Sequence, residues 1–184
     1  MNKIHYNLIV SGVLIWNKWR QENPAIVPDL RWVDLHEADL HEADLHEADL
    51  YEADLYEASL IGASLYGANL HGANLRGASL IKTNLHGADL HGADLSEANL
   101  REASLSGADL SEAKGIVQLL WAGFTILIWQ REGVKYAKIG CREKTVSDWL
   151  LLSDDKAILL GAKSEHLIGY RLVMEFATAF LFDE

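Results

Sequence analysis

A solenoid that turns a corner every five residues is the fold this chain predicts, and two observations predict it. Leucine occupies every fifth position from Leu30 to Leu110, seventeen in succession. Alanine recurs in the same period from Ala38 to Ala113, two places ahead of the leucine, broken only by Thr83. A period of five matches neither the helical 3.6 nor the strand period of 2. Only a backbone that bends at a fixed place in each unit keeps every leucine inside.

The elements follow in order. Residues 1–27 read as an amphipathic helix and a short extended link, with Ile4, Leu8, Ile15, Trp16 and Trp19 at roughly helical spacing. Asn23-Pro24 and Pro28 end that element. Residues 28–114 are the repeat, with Val33 marking an imperfect first unit. The five-residue register stops after Lys114-Gly115. Beyond it, Phe124–Trp129 and Val134–Cys141 read as two strands around a turn at Arg131-Glu132-Gly133. Thr145 and Ser153 are placed to cap short helices through Leu152 and to about Leu160, and Ser164–Phe182 has the periodicity of a terminal helix. The expected organisation is an N-terminal helical cap over 1–27, the solenoid over 28–114, and a small α+β capping module over 115–184. Caps are required because an open solenoid end exposes backbone and apolar ladders.

The units, such as Ala38-Asp39-Leu40-His41-Glu42, resemble the pentapeptide repeat family, whose pattern is Ala-(Asp/Asn)-Leu-x-x. That resemblance implies a mainly β fold, a right-handed quadrilateral β-helix with four pentapeptides per square coil. Leucine and alanine would then point inward and the other three positions outward. The stretch from Leu8 through Trp16-Asn17 to Pro28-Asp29-Leu30 resembles leaders that precede such repeats in bacterial, notably cyanobacterial, proteins.

Four units per coil place residues twenty apart in one stack. Leu30, Leu50, Leu70, Leu90 and Leu110 then form one buried ladder, and Leu35, Leu55, Leu75 and Leu95 a second. Leu40, Leu60, Leu80 and Leu100 form the third, and Leu45, Leu65, Leu85 and Leu105 the fourth. Coils rise by about the 4.8 Å interstrand spacing, so a little over four of them make a rod roughly 20 Å long. The interior beside each leucine admits only a methyl, which explains alanine. Thr83 must widen the coil locally or bond its hydroxyl to backbone. Asp or Asn ahead of each leucine can bond the corner backbone. The glycines that replace Glu in the middle coils are expected to supply corner dihedrals at positive φ.

The net charge of −11 is uneven: residues 29–58 hold eleven acids against Arg31, a net −10. Such a surface disfavours nucleic acid and anionic membranes as partners. The apolar stretches Leu8–Trp16 and Leu119–Trp129 fall short of the roughly 18 residues a membrane span needs. No cleavage signature follows the first, so no signal peptide is read, and the cytoplasm is the expected location. The lone Cys141 excludes an internal disulfide.

The outward positions are where surface function resides. Tyr51, Tyr56, Ile61, Tyr66 and Ile81 form the least polar part of it, a candidate contact patch for a protein partner or a set of stabilising ladders. His36, His41, His46, His71, His86 and His91 share one register but fall on different faces; only His71 and His91 stack directly, above Tyr51. The spacing leaves open whether that pair, or the wall of Glu37, Glu42, Glu47, Glu52 and Glu57, takes a cation; no metal or cofactor is assigned. His36-Glu37 with His41 lacks the helical spacing of a zinc-protease motif. Cys141, Asp148 and His166 carry no nucleophile pattern, and Trp121, Trp129 and Trp149 are expected as core anchors. The function expected is that of a non-catalytic structural or protein-interaction protein, its protein partner unidentified, with a monomer favoured over a homodimer. The resemblance implies one alternative, a DNA-mimicking modulator of DNA gyrase. Acidity invites it, but the −10 cluster spans about one and a half coils, far short of the charge density of DNA over a turn of about 34 Å.

Overall fold

The computed structural model describes residues 1–121, 124–131, 134–139 and 142–145. They fall into two compact units, Met1–Lys114 and the unit that begins at Gly115.

The first unit opens with two helices where the sequence suggests one. Helix α1 spans Lys3–Val10 and α2 spans Val13–Glu22. The Asn2 side chain starts α1 by accepting the Ile4 N–H at 2.9 Å. Gly12 divides the two at φ 116 and ψ 151, a conformation only glycine adopts without strain. Because apolar spacing continues across Gly12, periodicity alone does not reveal the break.

From Asp29 onward the chain coils. The residue ahead of each leucine makes a parallel bridge to the residue twenty further on, from Asp29↔Asp49 to Asp94↔Lys114. The ladder bonds are short: Leu30 N–H donates to the Asp49 carbonyl at 2.8 Å, and Asp49 N–H to that of Pro28 at 2.8 Å. Each corner is closed by an alanine N–H donating to the leucine carbonyl three residues earlier, as from Ala38 to Leu35 at 3.1 Å. The third corner residue lies at positive φ, as a type II turn requires. Asp, Asn or Ser occupies the bridge position, and most of the Asp and Asn side chains accept the N–H two residues on, as Asp39 does from His41 at 3.1 Å.

Fifteen of the seventeen leucines are at most 3% exposed, with Leu110 at 7% and Leu105 partly exposed in the last coil. The alanines from Ala43 to Ala103 are equally buried, and Val33 fills the same place at 1%. Thr83 is fully buried, and its hydroxyl donates to the Leu60 carbonyl at 2.7 Å. The extra polar atom thus finds a partner rather than forcing the coil apart.

The described part of the second unit is an antiparallel meander of β1 Ile116–Trp121, β2 Phe124–Arg131, β3 Val134–Ile139 and β4 Arg142–Thr145, in that order. Register runs Ile116↔Trp129, Trp129↔Tyr136 and Tyr136↔Thr145. The two strands expected here are β2 and β3: β2 continues to Arg131, and the described part of β3 is Val134–Ile139. Strand β1 is an apolar run with Val and Trp that the loss of the five-residue register obscures. Strand β4 is polar and shows no apolar alternation. Ile126, Ile128 and Trp129 are at most 2% exposed, and Trp129 stacks on Tyr136 at 5.7 Å. The expected helices beyond Thr145, and Cys141, Asp148, Trp149 and His166, lie outside the described residues.

Candidate interaction surface

The residue after each leucine projects outward, so the coil deals these side chains into four columns. The column over Leu30 holds Arg31, Tyr51, His71, His91 and Ser111. Tyr51 and His71 stack with ring centroids 5.2 Å apart, and His71 and His91 at 4.8 Å. Trp32 closes one end edge-on to Tyr51 at 6.0 Å, and Ser111 Oγ lies 2.8 Å from His91 Nδ1 at the other. On the Leu45 face, Tyr66 and His86 stack at 5.3 Å.

The five residues grouped from sequence as one patch therefore do not come together. Tyr51, Tyr56, Ile61 and Tyr66 occupy four different columns, since five residues is one corner; only Ile61 and Ile81, twenty apart, share a face. Tyr56 and Tyr66 are 36% and 46% exposed, and the other three are partly covered. Hydrogen bonding to Glu52 raises the Tyr51 phenol's pKa, and Glu57 does the same for Tyr56, so both remain neutral hydroxyls across the physiological range.

Arg31 anchors the first coil. Its Nε lies 2.9 Å from Asp29 and 3.4 Å from Asp49, and its guanidinium lies 5.2 Å from the Trp32 ring centroid. The hydrogen bond from Arg31 holds the Asp29 carboxyl well below the usual carboxylate range. Asp34 pairs with His36 through Nδ1, which lowers the carboxyl and raises the imidazole.

The acidic wall has a backbone peculiarity. Glu37, Glu42, Glu47, Glu52 and Glu57 all sit at φ between 49 and 56, at the corner position where seven later units place glycine at φ between 62 and 71. Side chains from the acidic coils lean over those glycines. A Cβ placed on Gly77 would lie 3.1 Å from Cγ of Glu57, and one on Gly72 would lie 3.2 Å from Cγ of Glu52. Among the described residues no three His, Cys, Asp or Glu side chains converge to hold a metal ion. The His71–His91 rings stack face on, which aims their nitrogens along the ring planes rather than at one point.

A second set of contacts, between the helices and the first coil, has no trace in the repeat pattern. The Trp16 indole N–H donates to the Asp44 carbonyl at 2.7 Å. The Asn17 amide donates to the Glu42 carbonyl at 2.9 Å, and its oxygen accepts the Asp44 N–H at 2.8 Å. Arg20, 2% exposed, donates to the carbonyls of Ile26 at 2.8 Å and His46 at 2.9 Å. Its Nε has no hydrogen-bond partner, with Asp44 Oδ2 at 3.9 Å. His5, 7% exposed, accepts the Asp29 N–H on Nδ1 at 2.9 Å and packs on Trp19 at 4.9 Å; its burial lowers its pKa. Partners separated by 24 to 28 residues share no local spacing for the sequence to reveal.

A model of pentapeptide repeats matches residues 29–65, 58–96 and 78–114, in eight copies. The pentapeptide repeat protein Rfr23 of the cyanobacterium Cyanothece is 42% identical over 44% of this chain and 56% of its own, with a TM-score of 0.42. A pentapeptide repeat protein of Nostoc is 38% identical over 50% of this chain and 72% of its own, with a TM-score of 0.32. One from the thylakoid lumen of Arabidopsis thaliana is 29% identical over 52% and 70%, with a TM-score of 0.28. The chain spans just over half the length of Rfr23. No curated protein matches this chain.

Proposed function

The chain belongs to the pentapeptide repeat family through residues 29–114, and on that premise we propose that it is a non-catalytic scaffold whose outer columns bind a protein partner. The family's right-handed β-helix supplies a rigid frame in which position in the sequence sets position on a face. The observation that carries the proposal is the column Trp32, Tyr51, His71 and His91. Four planar groups stand edge-on or stacked at 4.8 to 6.0 Å, with Arg31 beside them. Aromatic and Arg side chains are enriched at the centres of protein contacts, the aromatics because they bury much area with little rotamer freedom. Nucleic acid does not suit the surface, since the net −10 over residues 29–58 repels phosphate.

The test is capture of partners by the full chain against Tyr51→Ser and His71→Ser. Both positions face outward, so the coil keeps its core. Loss of a wild-type partner with both variants supports the column; retention of every partner with both removes it.

The acidity favours a second reading, modulation of DNA gyrase by DNA mimicry. Its difficulty is continuity, because the wall is interrupted from Gly62 to Gly92, where the same positions hold glycine and Lys82.

A further inference from the structure

The end of a β-helix must answer for the backbone groups that the missing next coil would pair. Every interior coil does so. Asp54 N–H donates to Val33 at 2.8 Å and Ser59 N–H to Ala38 at 2.9 Å, while the Asp54 and Ser59 carbonyls accept from Leu35 and Leu40 at 2.8 Å. In the first coil the helices serve two of the four faces. On one, Asp29 N–H donates to His5 and its carbonyl accepts the Asn2 N–H at 3.0 Å. On the other, Asn17, Trp16 and Arg20 satisfy Asp44 and the His46 carbonyl.

The remaining two faces have no such service. Among the described residues, the main-chain N–H and C=O of Asp34 and Asp39 and the carbonyls of His36 and His41 have no partner. Both aspartates are exposed, whereas their counterparts one coil up, Asp54 and Ser59, are half covered. A groove of about 350 Å³ runs along this edge. Tyr6 and Val10 of α1 line one side, and Asp34, His36, Ala38 and Asp39 the other, with the buried Ile9, Leu35 and Leu40 at its floor. Ala38 is half-buried there, unlike the alanines from Ala43 to Ala103.

We propose that this open half-coil is a docking site for an extended, cationic peptide segment of a partner protein. The segment would add a strand beneath Val33–Leu35, bend under the corner at His36-Glu37, and continue beneath Ala38–Leu40. Main-chain bonds to Asp34 and Asp39 supply the pairing, and alternate side chains of the segment lie in the groove between Val10 and Ala38. Charge selects the occupant. Asp34 and Asp39 line the edge within a stretch of net −10, which attracts Lys and Arg and repels a second copy of this chain. The site is separate from the lateral column, so either proposal stands without the other.

The experiment titrates the full chain into a fluorescein-labelled nonapeptide, Lys-Val-Lys-Val-Gly-Lys-Val-Lys-Val, with anisotropy as the readout. Two control peptides carry Glu for every Lys, or N-methyl groups on alternate main-chain amides. The expected result is saturable micromolar binding, no binding of the Glu peptide, and at least a tenfold loss on N-methylation. The double variant D34N/D39N keeps the corner-capping oxygens while removing both charges, and should weaken binding severalfold. Val10→Lys, at a half-exposed groove residue, should weaken it about tenfold while leaving the circular dichroism unchanged. Hydrogen exchange gives a second readout: the Asp34 and Asp39 amides should exchange fast in the free chain and slow when peptide is added. Equal affinity for the N-methylated peptide, slow exchange of both amides in the free chain, or a dimer in sedimentation that covers the edge would each overturn the proposal.

Discussion

Gly77→Ala isolates the contact between successive coils. The backbone at Gly77 has φ +70, and an added Cβ would lie 3.1 Å from Glu57 Cγ, tighter than ordinary van der Waals contact. Gly87 has nearly the same dihedral, φ +67, and nothing within 4 Å of an added Cβ. Alanine in the left-handed region costs about 1–2 kcal/mol, so Gly87→Ala should lose that amount alone. Gly77→Ala should lose the same and roughly 0.5–1.5 kcal/mol more, the cost of driving the exposed Glu57 side chain off its rotamer. Truncating Glu57 in a Glu57→Ala, Gly77→Ala double variant should return the second contribution and leave the first. Equilibrium urea unfolding of the four proteins measures this directly. Equal losses at Gly77 and Gly87, or no recovery in the double variant, would refute the idea that glycine is placed to receive the glutamate of the coil before it.

Other expectations concern the helical segment and the surface. Burial depresses the His5 pKa, so its contribution to stability is fully present above the unfolded value of 6.5 and is lost as pH falls below it. The urea midpoint, followed by tryptophan fluorescence, should therefore fall between pH 7.5 and 5, and His5→Gln should flatten that dependence. Arg20→Ala leaves the carbonyls of Ile26 and His46 without their donor, which should cost about 2–4 kcal/mol and speed amide exchange in α2. Thr83→Val removes one buried hydroxyl bond at constant shape and should cost about 1 kcal/mol in urea unfolding. In a DNA supercoiling assay, micromolar protein should leave gyrase uninhibited; inhibition would restore the DNA-mimic reading.

The leucine period carried most of the solenoid, because a packing constraint repeated seventeen times leaves a strict trace. It placed His71 over His91 and left Thr83 either a wider coil or a backbone bond, of which the structure shows the bond. It did not carry the helix break at Gly12, where apolar spacing runs on unbroken. Strand β4, Arg142–Thr145, is polar and paired on the meander by main chain, so no side-chain pattern announces it. Tyr51, Tyr56, Ile61 and Tyr66 are dealt to four columns, and Ile81 to that of Ile61, because neighbours at five residues stand around a corner. The Arg20–His46 contact and the half-served end coil depend on where a helix rests against a coil, which no spacing in either segment encodes.

The twenty-residue ladder makes the surface a matter of phase. Inserting one pentapeptide between Leu60 and Leu65 would leave every leucine inside and every corner closed. Yet each residue beyond it would advance by a quarter turn. Tyr51 would then lie beneath Tyr66 rather than His71, and His71 would stand over Tyr56, while Tyr66 and His86 would keep each other. An insertion of four units would return every residue to its original face, with one whole new coil between the former neighbours across it. Length changes of five and of twenty are thus equivalent to the core and opposite in effect on the surface. A chain built this way can redeal its exposed residues without altering any of its buried ones.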